Sequence, residues 1–131
     1  MIVLSNATAQ TIQPGAAATF DVVKLHTGCG EFHRTGSGSV RLRAGLYAFD
    51  FTGNVGGAAG TQPNLAIAVD GDTLSETTMT ETIALATDVH NVHASTKFCN
   101  RFGGSTVTVV NTGSTPVELA ANPALVVKRE A

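Results

Sequence analysis

Apolar and polar residues alternate along this chain with a period of two, in short runs closed by turns. Val40 and Leu42 point one way while Arg41 and Arg43 point the other. Tyr47, Phe49 and Phe51 share a face opposite Leu46, Ala48 and Asp50, and Leu65, Ile67 and Val69 share another opposite Ala66, Ala68 and Asp70. No stretch keeps a helical period; the alanine-rich pieces at 16–18 and 120–121 are short and bordered by proline or β-branched residues. The pattern predicts strands over 2–4, 11–13, 18–25, 31–34, 39–43, 46–55, 64–69, 73–80, 89–98, 106–110, 117–119 and 125–128, two or three of them to be merged or lost. The strands 106–110 and 125–128 are apolar on both faces, which predicts a central position or a subunit contact.

The turns have chemical reasons. Asp70-Gly71 is the strongest hairpin signal, because both residues tolerate positive φ. Pro14-Gly15, Gly36-Ser37-Gly38 and Asn111-Thr112-Gly113 close other pairs of runs. The uncharged stretch Gly53 to Gln62 reads as a flexible loop. The threonine-rich run 75–82 reads as the solvent face of an edge strand, with Met79 as its apolar intruder. Neither an internal repeat nor a linker divides the 131 residues, so one domain over 1–131 and an antiparallel β-sandwich are expected.

The order of elements from Phe20 to Val55 resembles the first half of the C1q/TNF-like jelly roll. An apolar strand (Phe20-Asp21-Val22-Val23) runs into the Gly28/Gly30 turn, and Gly45-Leu46-Tyr47-Ala48-Phe49 matches the Gly-x-Tyr-x-Phe signature. Asn64 to Gly71 looks like the strand and hairpin that follow, and the ending from Asn122 to Arg129 is similar to the closing strand of C1q-like domains on bacterial spore-surface collagen-like glycoproteins. Small structural proteins of phages share the layout. No Gly-X-Y stalk precedes the domain, and the acidic calcium pattern of animal C1q domains has no match. The resemblance implies a homotrimer that binds or decorates.

Composition sharpens that expectation. Hydrophobic residues make up 43% of the chain and charged residues only 14%, where about 25% is ordinary. Either the surface is covered by threonine, serine, alanine and glycine, or much of it is buried against copies of the chain; the second is the expectation. Tyr47, Phe49, Phe51, Val107, Val109, Leu125 and Val127 are the candidates for trimer packing, some of them shared with the monomer core, with Ala124 and Thr108 small enough to let copies approach.

Charge and motifs exclude most other classes. The net charge is -2 and the cations are scattered, so no nucleic-acid partner is expected. No apolar run approaches the ~20 residues that span a bilayer, and the first residues lack a basic leader. The chain is therefore expected in the cytoplasm, with Cys29 and Cys99 as free thiols rather than a disulfide. His90 and His93, three apart on a strand, face opposite sides and would not chelate together; no metal or other cofactor is expected. No nucleophile elbow, carboxylate pair or phosphate loop is present, so no enzyme is expected.

Two functions fit. One is a trimeric decoration, cement or fibre-head protein of a phage virion, partnered by the major capsid protein or another virion protein. The alternative is a C1q-like module at a bacterial or spore surface that recognises glycan or protein, with Phe98, Arg101 and Phe102 as its possible ligand loop.

Overall fold

The computed structural model describes residues 1–28 and 30–131. Cys29 lies outside the described residues, and the expectation of an unpaired thiol there with it. The chain folds as an antiparallel jelly-roll sandwich with no α-helix among the described residues. In chain order the strands are β1 (Ile2–Ser5), β2 (Gln10–Ile12), β3 (Val22–His26), β4 (Glu31–His33), β5 (Val40–Leu42), β6 (Gly45–Gly56), β7 (Asn64–Val69), β8 (Asp72–Thr73), β9 (Met79–Thr80), β10 (His90–Asn100), β11 (Ser105–Asn111), β12 (Val117–Leu119) and β13 (Ala124–Arg129).

The long strand β6 organises the first sheet. β10 pairs along one edge of it over eleven residues, from Gly45↔Asn100 to Val55↔His90. β13 and then β12 lie end to end along its other edge. β1 and β3 extend the sheet beyond β13, and β2 extends it beyond β12. The second sheet runs β4-β5-β11-β7-β8, with β9 also on β7. Both doubly apolar strands are central: β11 sits between β5 and β7, and β13 between β6 and β1.

The core lies between the sheets and is built from the inward half of each alternation. Along β6, Tyr47, Phe49 and Phe51 are buried, and Ile67, Val107, Leu125 and Val127 meet them from other strands. The Phe49 ring stacks between Tyr47 and Phe98, at centroid distances of 6.4 and 6.1 Å. The Tyr47 hydroxyl lies 2.9 Å from the Gly30 carbonyl and 2.8 Å from that of Arg43, each able to accept its proton. Burial pushes the phenol above its ordinary pKa; the nearby Glu31 carboxylate adds to this and Arg129 opposes it.

The glycine before the Tyr-x-Phe strand has a steric reason. Gly45 has φ +154°, and a Cβ there would stand 2.7 Å from Arg129 Nε and 2.9 Å from the Ala131 carbonyl oxygen. Gly45→Ala is therefore expected to lower stability by about 1–3 kcal/mol, read as a lower midpoint in thermal unfolding.

The Asp70-Gly71 turn forms as expected, with both residues at positive φ (52° and 84°). The Asp70 carboxylate also accepts the Thr106 backbone N–H at 2.9 Å, joining the β7–β8 turn to β11. That bond holds the carboxyl below its ordinary pKa. A depressed folded-state pKa contributes stability that is present above the unfolded value near 3.8 and is lost as pH falls through the folded value. Asp70→Asn keeps an acceptor and tolerates the turn, so thermal melts should find this acid-limb loss in the wild type and a smaller one in the variant.

Two expected elements differ. The run 73–80 is not one strand: β8 and β9 flank a 3₁₀ turn, Ser75–Thr77. Thr77 is fully buried there, its hydroxyl accepting the Ile67 N–H at 2.9 Å where a partner strand's carbonyl would otherwise stand. Met79 is likewise buried, in the core rather than intruding on a solvent face. Over Gly53–Val55 the expected strand 46–55 and the expected loop from Gly53 overlap; the strand holds, and β6 runs to Gly56 because β10 and β12 pair with it.

Candidate functional site

Two surfaces stand out, one on the outer face of each sheet. The first is the side of the β6 sheet turned away from the core. One cross-strand row there runs Leu25, Val3, Val126, Asp50, Ser95. A neighbouring row holds Lys128, Ala48 and Lys97, and another Ala124, Thr52 and His93. Val3 and Val126 are half-buried and Leu25 is 41% exposed, at the β3 edge. The β10 side is polar: Lys97 pairs with Glu130 at 3.0 Å and His93 with Asp50 at 3.1 Å. The β1 and β13 part of this face is thus apolar around Val3, Val126 and Ala124, with Asp50 and Lys128 beside it and further charge toward β10.

The residues expected to pack a trimer are elsewhere. Tyr47, Phe49, Phe51, Val107, Val109, Leu125 and Val127 are each at most 1% exposed within one chain. They form the monomer core, the part of the expectation that the fold of one chain shows. The physical reason is the pleat: the most apolar half of each alternation is the half that closes the sandwich. Ala124 does lie on the outer face of the β6 sheet, but Thr108 belongs to the other sheet and cannot share a contact with it.

The second surface is the outer face of the β4–β5 hairpin. Phe32 stands opposite Arg41, and Arg41 opposite Thr106 on β11. Phe32 is 45% exposed. The Arg43 guanidinium carbon lies over its ring, 5.1 Å from the centroid. A shallow depression of about 430 Å³ is lined by Phe32, His33, Arg34, Ser39, Arg41 and Thr106. None of these arginines pairs with a carboxylate among the described residues. Both His33 ring nitrogens face carbonyl oxygens, those of Ser39 and Phe20, at 3.0 Å.

The expected ligand loop is brought to this same end in part. Arg101 and Phe102 are exposed in the β10–β11 connection, Phe102 at 96%. Gly103 and Gly104, at φ 74° and 70°, fold that connection back, and the Gly104 N–H donates to the Leu42 carbonyl beside β5. Phe98 does not belong there: it is half-buried on β10 and stacks on Phe49 as part of the core wall. The sequence reasoning missed Phe32 and Arg34. The signal was an aromatic at the polar phase of an alternation, Glu31-Phe32-His33-Arg34, facing the Arg41/Arg43 phase across the hairpin.

The remaining polar groups are used structurally. Glu31 is buried and binds the terminal amine of Met1 at 3.2 Å and the Arg129 N–H at 3.1 Å. His26 bonds the Glu31 carbonyl at 2.9 Å. His93 faces Asp50, while His90 lies 3.7 Å from Glu81. Cys99 is an exposed free thiol on β10. Among the described residues no three His, Cys, Asp or Glu side chains group as metal ligands, and no helix is long and apolar enough to cross a membrane.

No protein-family model matches the chain, and no curated protein sequence matches it. Solved structures do. Murine APRIL, in a crystal grown at pH 5.0, is similar over 97% of this chain and 96% of its own, with a TM-score of 0.67 and 14% identity. The PRD1 vertex protein P5 is similar over 98% of this chain and 94% of its own, with a TM-score of 0.51 and 15% identity. A CBM35 from Cellvibrio japonicus Abf62 covers 98% of both chains at a TM-score of 0.48 and 14% identity. The fold is thus a TNF-like jelly roll. The bacterial branch of the fold is not singled out.

Proposed function

We propose that this is a non-enzymatic structural protein of a phage virion, a homotrimer that decorates or cements the particle or forms a fibre head. The observation that carries the reading is the outer face of the β6 sheet, with Val3, Val126 and Ala124 forming an apolar patch on β1 and β13 and the Asp50–His93 and Lys97–Glu130 pairs bordering it toward β10. An apolar patch bordered by polar and charged side chains is the anatomy of a protein interface. A closed ring of copies hides such a face from water, which answers the shortage of charged residues in the chain. The likeness of the fold to a phage vertex protein supports the setting.

The second reading, a surface module of a bacterium or spore, is favoured by the exposed Arg–Phe surface on the opposite sheet. Immunoelectron microscopy with an antibody against the folded chain separates the two. Labelled intact virions are the expected result. Label confined to cell or spore surfaces would overturn the virion assignment in favour of the alternative.

A further inference from the structure

We propose that the outer face of the β4–β5 hairpin binds an acidic saccharide, with Arg34, Arg41 and Arg43 holding its carboxylate or sulfate groups. The inference stands whether the chain sits on a virion or on a cell, and it leaves the β6 sheet free to assemble.

The chemistry is that of the guanidinium. Two exposed arginines, Arg34 and Arg41, line one depression, and a third, Arg43, lies over the Phe32 ring of the same lining, while the chain as a whole carries a net charge of -2. A guanidinium offers paired N–H donors in a plane that matches carboxylate and sulfate oxygens two at a time. The Arg43 guanidinium carbon lies 5.1 Å from the Phe32 ring centroid, a cation–π contact that engages the guanidinium's charge and none of its N–H donors. No carboxylate among the described residues pairs with these arginines. Glu31 is buried and engaged by Met1 and Arg129, and Asp70 accepts the Thr106 N–H.

The same surface favours a sugar over other anions. Exposed Phe32 ring forms one wall of the depression, an apolar surface for the C–H face of a pyranose, and Ser39 and Thr106 stand among the arginines in its lining as hydroxyl-bearing residues. A peptide adding as a strand would need the free carbonyls of edge strand β4, and His26 already occupies that of Glu31. A nucleic-acid duplex would demand a longer run of cations than this patch holds.

Isothermal titration of the intact protein tests this with four probes: a hyaluronan oligosaccharide, a sulfated dextran oligosaccharide, neutral dextran of the same length and a single-stranded oligonucleotide. Binding to hyaluronan or to sulfated dextran, with none to neutral dextran and weaker binding to the oligonucleotide, is expected; which of the two binds identifies the acid group. Arg41→Gln and Phe32→Ala should each weaken it by about tenfold or more, with unchanged thermal midpoints for Arg41→Gln. Binding of neutral dextran, equal or tighter binding of the oligonucleotide, no binding of either acidic saccharide, or binding indifferent to Arg41→Gln would overturn the proposal.

Discussion

Val126→Asp is expected to break the proposed trimer and leave an insoluble chain. Val126 sits mid-face on β13, between Val3 of β1 and Asp50 of β6. At about 25 cal/mol per Å² of apolar surface, hiding a few hundred Å² per subunit stabilises by several kcal/mol, which offsets part of the association entropy. A carboxylate there would have to be desolvated against the neighbouring copy. It would also stand directly opposite Asp50 within its own sheet, a like-charge pair that weakens the strand pairing. The two effects separate with a second variant. Val126→Lys places an attractive charge opposite Asp50, so it should fold as a monomer that sedimentation and circular dichroism can both read. A Val126→Lys protein that still sediments as the wild type would remove this face from the interface.

Phe49→Ala is expected to cost about 3–5 kcal/mol, a large share of the ~5–15 kcal/mol that holds an ordinary domain together. Phe49 is 1% exposed on the central strand β6, stacked by Tyr47 and Phe98 and paired across the sheet with Val127. The hole left behind cannot refill, because β10 and β13 fix the backbone on both sides. A midpoint lower by roughly 10–20 °C follows, and thermal unfolding followed by circular dichroism checks it. A loss below 1 kcal/mol would mean that the stack is not part of the packed core.

The different fates of these two positions explain what the sequence could and could not say. Strands with clean alternation and chemical stops were legible to the residue: β7 runs Asn64–Val69, after Pro63 and into the Asp70-Gly71 turn, and β12 runs Val117–Leu119 after Pro116. The run 73–80 was not legible, because a threonine side chain replaces a backbone partner there, and composition carries no trace of that. A period of two says which residues share a face. It does not say whether that face meets the other sheet or another molecule. Tyr47 and Leu125 therefore entered the interface set on apolarity alone, while the weaker alternate phase, Val3 with Val126, holds the outer face. Phe32 was equally hidden, since its neighbours across the sheet, Arg41 and Thr106, follow only from the register of three strands.

The central claim is that the outer face of the β6 sheet is covered by copies of the chain. Sedimentation equilibrium of the wild-type protein at micromolar concentration tests it most directly. The account predicts one folded species at three times the 13.4 kDa of a single chain. A soluble, folded species at 13.4 kDa would contradict it.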